Sequence, residues 1–365
     1  MKILVATLIH TPDDDRVFHK QIRSLLGAGH EVTLATRNQP VVDLRLPRFQ
    51  HVDLGPVGVV QFGTALQSLA EQWRPQALQI HEFTLLVAGG RIKKTLGIPL
   101  IYDVQDTHPE MWATFSSKPP VIKQIINWGL LQYELRQLKQ VDVVFAASQL
   151  IASRYGRRGP ATVFVPNYMP FHPLDLATPR PPLVIYHGQL SVERGIGTLV
   201  RAFEGVIQQV PEARLEIYGR ERVPGFVQGL ESSLDQSALR SAVRIRSAIP
   251  HRDILDRLKG AQIGVIPFLD RPLFRVAPPN KLFEYMLCGC AVVASDLPIL
   301  RDLGRDAVQF VPPGDEPALT KAIIELLGNR SRREELASRG HQLAETVYNW
   351  EQVEPDYLRI YEELA

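Results

Sequence analysis

The chain has 365 residues, 45% hydrophobic and 22% charged, with a formal net charge of +2. That length is too great for one ordinary core and predicts two soluble globular domains. The charge balance is far from that of a nucleic-acid-binding protein, and no apolar run reaches the length of a membrane-spanning helix.

The opening MKILVATLIH has a short apolar stretch followed by Asp13, Asp14 and Asp15, and reads as a first strand, not a signal peptide. Further strands are expected at Glu31–Ala35, Ala77–Ile80, Leu100–Val104, Asp142–Ala146 and Thr162–Val165, after a first at Ile3–Leu8. Ile22, Leu25 and Leu26 mark the inner face of the first helix, which Gly27 and Gly29 end. The stretch from Ser117 to Val141 is basic and amphipathic, with Ile122, Ile125, Ile126, Trp128 and Leu130 on its apolar side. Packing on the first sheet is the expectation for it, with contact at a membrane surface the alternative. The run from Pro166 to Leu183, with six prolines, has linker composition.

Beyond it, strands are expected at Leu183–Tyr186, Arg214–Tyr218, Val243–Arg246, Ile263–Ile266, Ala291–Ala294 and Val308–Val311. Strands alternating with helices imply two doubly wound parallel sheets, which bind ligands at the carboxyl ends of their strands. One substrate per domain, with transfer across a cleft, is the resulting expectation. Up to Pro170 there are 18 Lys and Arg against 13 Asp and Glu, and beyond it 23 against 26, so the first half is mildly basic. That suits an anionic acceptor or a lipid surface. Cys288 and Cys290 flank Gly289 without a second pair or a nearby histidine, so buried free thiols of a reducing cytosol are expected and no zinc site.

The segment PPNKLFEYMLCGCAVVASD, from Pro278 to Asp296, carries the most chemistry. It reads as a buried helix followed at once by a buried strand. Lys281 lies in the first turn, where the helix dipole disfavours a cation unless an anion binds there too. Glu284 follows three residues later on the same side. Charge for phosphates and a carboxylate for ribose hydroxyls suit a nucleotide.

This segment resembles the donor-binding motif of bacterial family-4 glycosyltransferases, which have the GT-B fold: two doubly wound parallel-sheet Rossmann-like domains facing a central cleft. The stretch from Leu183 to Phe203 resembles the family's G-R-L-x-x-x-K-G element, with Arg194 at the Lys position and a neutral Gln189 at the Arg position after Gly188. Gly219 and Arg220 are similar to the turn beside the nucleotide, and Pro250 and His251 to the segment whose backbone faces the base. Of the family's two glutamates eight positions apart, the second is Glu284 and the first is replaced by Val276, so sugar contacts fall to backbone around Pro279, Asn280 and Lys281. In the first half, the stretch PDDDRVFHK from Pro12 to Lys20 resembles the family's D-x-R-V-x-K start, with Asp15 and Arg16 expected at the cleft edge and helix capping and a surface arginine as the plain alternative. Asp13 and Asp15 also spell a metal-binding D-x-D, but their place before a helix argues for capping, and no metal is expected. Where family members carry a cleft histidine and a glutamate, this chain has Gln105 and Asp106. His108 and His81 are the candidate replacements, His81 being expected to face the cleft.

The resemblance implies residues 1–170 as an acceptor-binding domain, 171–182 as a linker and 183–349 as a donor-binding domain. The amphipathic helix 350–365 packs back on the first. It implies transfer of a sugar from a UDP- or GDP-sugar to a hydroxyl of a glycan, a lipid-linked saccharide or a small molecule, with retention at the anomeric carbon. Arg194 and Lys281 would stabilise the leaving diphosphate. No further cofactor is implied, and the location is the cytoplasm or the inner membrane face. Val276, Gln189 and Gln105 keep open a degenerate sugar-nucleotide-binding partner protein, and a sugar-nucleotide epimerase is a third reading. No G-x-G-x-x-G follows the first strand of either half, which argues against a dinucleotide oxidoreductase.

Overall fold

Runs such as Ile3, Leu4, Val5 and Ala291, Val292, Val293, Ala294 are apolar without alternation, which suits strands covered on both faces. The computed structural model describes residues 1–38, 45–157, 159–235 and 238–364. It divides into two units, residues 1–167 with 350–365 and residues 168–349.

The first unit begins with β1 (Lys2–Ala6), a π-wound turn Val17–Ile22 and α1 (Arg23–Gly27). Then come β2 (Glu31–Thr36), β3 (Phe49–Asp53), α2 (Val59–Trp73), β4 (Ala77–Ile80), α3 (Leu86–Leu96) and β5 (Leu100–Val104). It continues with α4 (His108–Phe115), α5 (Pro120–Gln137), β6 (Val143–Ala146), α6 (Gln149–Gly156) and β7 (Ala161–Phe164). All seven strands are parallel, in the order β3-β2-β1-β4-β5-β6-β7. β3 has no counterpart in the sequence reading, because FQHVD is a mixed, half-exposed edge strand with no apolar run.

The second unit holds β8 (Leu183–His187), α7 (Ile196–Gln209), β9 (Arg214–Gly219), α8 (Phe226–Asp235) and β10 (Val243–Ser247). It continues with α9 (His251–Lys259), β11 (Ile263–Ile266), α10 (Asn280–Leu287), β12 (Ala291–Ser295), α11 (Pro298–Gly304) and β13 (Val308–Val311). Helices α12 (Glu316–Gly328) and α13 (Arg330–Thr346) close it. Its six parallel strands run β10-β9-β8-β11-β12-β13.

In each sheet the winding reverses between two neighbouring strands, β1 and β4 in the first and β8 and β11 in the second. Beyond the carboxyl ends of such a pair the connections diverge, which opens the crevice where doubly wound sheets take ligands. In the second unit β8 and β11 pair at only two positions, Val184 with Ile263 and Ile185 with Gly264. The Tyr285 ring fills the space beside them, where a Cβ on Gly264 would fall 2.5 Å from it. Its hydroxyl points at the carbonyls of Ile185 and Val265, 3.5 and 3.4 Å away.

The proline-rich segment expected as a free linker is counted with the second unit. Arg180 Nη1 ties it down by donating to the carbonyls of Ala261 and Gly289 at 2.9 and 2.7 Å. The last helix, α14 (Glu354–Glu363), belongs to the first unit. Tyr357 and Tyr361 donate to Oε1 of the buried Gln79 on β4, and Trp350 Nε1 donates to Ser24 Oγ at 2.9 Å.

The packing expected of α5 is only partial: Leu131 and Leu135 lie half-buried against the core of the first sheet. Only Glu134 of this helix is buried, while Val121, Ile122, Ile125 and Trp128 are 66%, 43%, 64% and 67% exposed. The amphipathic pattern is real, but in this structure the sheet covers little of the apolar stripe. No helix among the described residues is long and apolar enough to cross a membrane.

Candidate functional site

The crevice of the second unit gathers the residues of the Pro278–Asp296 segment. Pro279 sits before α10 in extended backbone, Asn280 starts the helix exposed, and every residue from Lys281 to Leu287 is buried. Burial of this whole helix forces the Lys281 side chain inward. Its Nζ lies 3.9 Å from the centroid of the Tyr186 ring and 5.0 Å from that of Phe268, with no hydrogen-bond partner. Burial, then the charge of Arg194, push its pKa well below the ordinary lysine range against the opposing pull of Glu284.

Arg194 is set by the turn before α7. Gly195 takes φ +70°, and a Cβ there would fall 1.7 Å from the Pro267 carbonyl oxygen, so only glycine lets this turn lie against the end of β11. The Arg194 guanidinium stacks 5.2 Å from both Phe268 and Phe274, and its Nε has no hydrogen-bond partner. Gly188 also has positive φ, +117°, and its Cβ would stand 3.1 Å from Lys281 Nζ. Backbone and two cations therefore line one spot with no counter-charge hydrogen-bonded to it, which is the chemistry of an anion site. Gln189 is half-buried, and its carbonyl accepts from the Tyr186 hydroxyl at 2.8 Å.

Glu284 is engaged already. One carboxylate oxygen lies 2.9 Å from His251 Nε2 and the other 2.9 Å from His187 Nε2. Burial would raise its pKa, but His187 and then His251 hold it below the usual carboxylate range. His187, at the end of β8, escaped the sequence reading. Its position just before Gly188 at a strand end was the available signal. Beside these histidines is a cavity of about 390 Å³ lined by His187, Gly188, Gln189, Gly219, Ile249 and His251, with Arg220 at its edge. Pro250 is not in its wall: it caps α9 from an exposed position, and Ile249 takes the place expected of it. Val276 closes a short turn, Leu273–Arg275, and brings no carboxylate.

In the first unit several expectations need correcting. Arg16 is no surface residue: it is 2% exposed, with Nε and Nη2 on the Asp103 carboxylate at 2.9 and 2.6 Å. Two neutralising bonds to Asp103, near the carboxyl end of β5, make its burial tolerable, while Nη1 is buried with no hydrogen-bond partner among the described residues. Asp15 does not cap the first helix. It pairs with Lys20 at 2.7 Å, while Asp14 accepts from the amides of Arg16 and Val17, both at 2.9 Å. His81, expected to face a cleft, has a fully buried side chain. Its Nδ1 lies 3.1 Å from Gln105 Nε2 and 3.2 Å from Asp103 Oδ2, and its Nε2 lies 3.0 Å from Gln79 Nε2. Gln105 thus belongs to the same network, and Asp106 is exposed beyond it. His108 stands apart, at the start of α4, edge-on to Phe83 and 4.0 Å from Glu134 Oε1. No three His, Cys, Asp or Glu side chains among the described residues are grouped to hold a metal ion. Cys288 and Cys290 are free and buried, and burial pushes the Cys290 thiol up to about 12.

Two family models match: "Glycosyl transferase 4-like domain" over residues 15–168 and "Glycosyl transferases group 1" over residues 181–329. The chain belongs to the family-4 glycosyltransferases. Among relatives of this glycosyltransferase, the phosphatidyl-myo-inositol mannosyltransferase of Mycobacterium leprae is 30% identical over 189 residues, 50% of this chain and 46% of that protein. A GDP-mannose-dependent monoacylated alpha-(1-6)-phosphatidylinositol monomannoside mannosyltransferase of Corynebacterium glutamicum is 24% identical over 62% of this chain and 64% of its own length. The matches therefore span less than two thirds of these relatives. Sucrose-phosphate synthase of Thermosynechococcus elongatus superposes with a TM-score of 0.79 at 19% identity, covering 100% of this chain and 98% of that one. Anabaena HepE, solved in complex with UDP-glucose, superposes with a TM-score of 0.75 at 16% identity and covers 100% of both chains. At such identities the likeness establishes the fold, and this glycosyltransferase has the two Rossmann-like units of GT-B.

Proposed function

We propose that this protein transfers a sugar from a nucleotide diphosphate sugar to a hydroxyl acceptor. The observation that carries the reading is a pair of cations at the crevice of the second sheet, Arg194 and Lys281, of which Arg194 Nε and Lys281 Nζ have no hydrogen-bond partner among the described residues. A diphosphate supplies the missing counter-charge, and its negative charge grows as the glycosidic bond breaks, so preorganised cations lower that barrier. The adjoining cavity of about 390 Å³ accommodates the nucleoside, with Glu284 placed to accept ribose hydroxyls once a histidine yields an oxygen. Gln189 and the backbone around Pro279 and Asn280 complete the donor side. Gln189 and Val276 weaken the match to the family's motif; relatives that are themselves named as mannosyltransferases favour transfer over a degenerate partner or an epimerase. Retention at the anomeric carbon follows from the family and needs no protein nucleophile.

The relatives named for phosphatidylinositol mannosides, and the mannosyl donor named for one of them, support a GDP- or UDP-sugar and a lipid-linked or other polyol acceptor. Neither a metal nor a further cofactor enters this mechanism. The exposed stripe of Val121, Ile122, Ile125 and Trp128 on α5, with Lys118 and Arg136 exposed near its ends, suits an anionic membrane surface. That supports peripheral work at the inner face of the cell membrane.

The test is thermal shift and calorimetry with UDP-, GDP- and TDP-sugars, followed by product analysis. Tight binding of one donor with slow release of its free sugar is the expected result. Failure of all three to bind would end the proposal. Sedimentation with phosphatidylglycerol vesicles checks the membrane contact, which Trp128→Ser with Ile125→Ser should abolish.

A further inference from the structure

Residues Thr7 to His10 leave β1 at the switch point of the first sheet, and a buried carboxylate holds them. Glu82, 6% exposed, accepts from the Thr7 hydroxyl at 2.5 Å and from the amides of Leu8 and Ile9 at 3.0 and 3.2 Å. Thr7 Oγ1 accepts from the His10 amide at 3.1 Å, and Arg37 Nε donates to the Leu8 carbonyl at 2.7 Å. This loop delivers the His10 ring with Nδ1 3.0 Å from Asp14 Oδ2. Asp14 is itself fixed, because its other oxygen accepts the amides of Arg16 and Val17. Among the described residues nothing pairs with His10 Nε2, and the side chain is 20% exposed.

We infer that His10, oriented by Asp14, is the group of the first unit that binds a hydroxyl of a sugar or polyol acceptor. This rests on the glycosyl-transfer reading above. With Nδ1–H directed at a fixed carboxylate, Nε2 presents a lone pair that accepts an O–H, and on protonation it donates to the hydroxyl oxygen instead. No bond is made or broken at the ring. The two histidines singled out in the sequence are less suited. Both nitrogens of His81 are used within its buried network, and the His108 ring packs edge-on to Phe83 with no carboxylate among the described residues close enough to hydrogen-bond and orient it, Glu134 being 4.0 Å away. Where the family pattern has a cleft histidine, this chain has Gln105, which bonds His81. The His10 ring lies edge-on to His81, centroids 5.9 Å apart, so an imidazole is restored at the same sheet edge from a different strand.

The experiment uses the full chain with UDP-glucose and GDP-mannose as donors and methyl mannoside, myo-inositol and phosphatidylinositol micelles as acceptor probes. His10→Ala should raise the acceptor KM about tenfold or more, the loss of one oriented hydrogen bond, and leave the nucleotide Kd unchanged. His10→Gln, which keeps a hydrogen-bonding side chain and guards against a folding defect, should recover part of the loss. Asp14→Asn should fall between. Burial draws the His10 pKa down, but the hydrogen bond and charge of Asp14, then Glu82 and Asp103, raise it above 6.5. The wild-type acceptor KM should therefore change through a titration above pH 6.5 that His10→Gln lacks. Arg16, which pairs with Asp103, and Arg37, on the Leu8 carbonyl, are the nearby cations of this loop. Unchanged acceptor KM in His10→Ala, or a His10 NMR signal that no probe perturbs at saturating donor, overturns the inference. Absence of nucleotide binding by the wild type would instead sink the underlying reading.

Discussion

Lys281 Nζ lies 3.9 Å from the centroid of the Tyr186 ring, and among the described residues no oxygen accepts a hydrogen bond from it. An aromatic face offsets part of the desolvation of a cation but not all of it. Lys281 and Arg194 are thus held in a state that a bound diphosphate relieves. Lys281→Ala and Arg194→Ala should each lower turnover on the order of a hundredfold while thermal unfolding still shows a folded protein. Steady-state assays of both variants against the wild type check this, and unchanged kinetics in both would reject the diphosphate site.

The same lysine makes nucleotide binding and stability depend on pH. Its folded pKa lies well below 10.5, so between the two values the unfolded chain binds more protons and stability rises with pH. The penalty grows as pH falls from 10.5 toward the folded pKa and is complete below it. A diphosphate favours the ammonium, so nucleotide binding should take up a proton and weaken as pH rises through that window. Calorimetry in two buffers of different ionisation enthalpy reads the proton count directly. Lys281→Met should bind weakly and show neither effect.

Glu284, flanked by His187 and His251, should matter to both stability and donor affinity. Glu284→Gln replaces a buried carboxylate that has an imidazole at each oxygen, and should cost about 1–3 kcal/mol. The Glu284–His251 pair is hydrogen-bonded but His251 is 34% exposed, so solvent screening puts the loss toward the lower end of that range. Because the Glu284 pKa is held below 4.5, its contribution is present above that pH and fades as pH falls toward the folded value. Acid unfolding curves of wild type and variant should therefore converge as the pH drops.

Arg16 and Asp103 serve the fold of the first unit. Arg16→Met or Asp103→Asn leaves a buried charge without its partner and should destabilise by about 3–5 kcal/mol. Denaturant midpoints of the two single variants and the double variant give the coupling. Full stability with an altered acceptor KM would instead restore the cleft-edge acceptor role expected of Arg16.

Strong periodic signals carried most of the architecture. The expected strands correspond to β1, β2 and β4–β13, and the helix-to-strand turn at Gly289 is where the motif implied. Edge strand β3 was illegible because half-exposed edges lack an apolar run. For the site, Lys281, Arg194 and Glu284 stood out through a helix-start cation and a family motif. His187 carried only the weak signal of its place before Gly188 at a strand end, and His10 none, since a lone histidine after a strand reads the same whether buried or presented. Arg16 misled for the opposite reason. Its neutralising partner is 87 positions away on β5, beyond the reach of any local pattern.

Chain order alone was enough to specify two alternating βα units, their parallel sheets and the cation-bearing helix, because these follow from local periodicity, prolines and glycines. Which charges are spent inside the protein and which stay available was settled by packing. Asp103 claims Arg16, Gln79 and Gln105 occupy His81, and Asp14 turns the His10 ring outward. A buried charge goes to whichever long-range partner desolvation makes indispensable, and that partner is known only once the strands lie side by side.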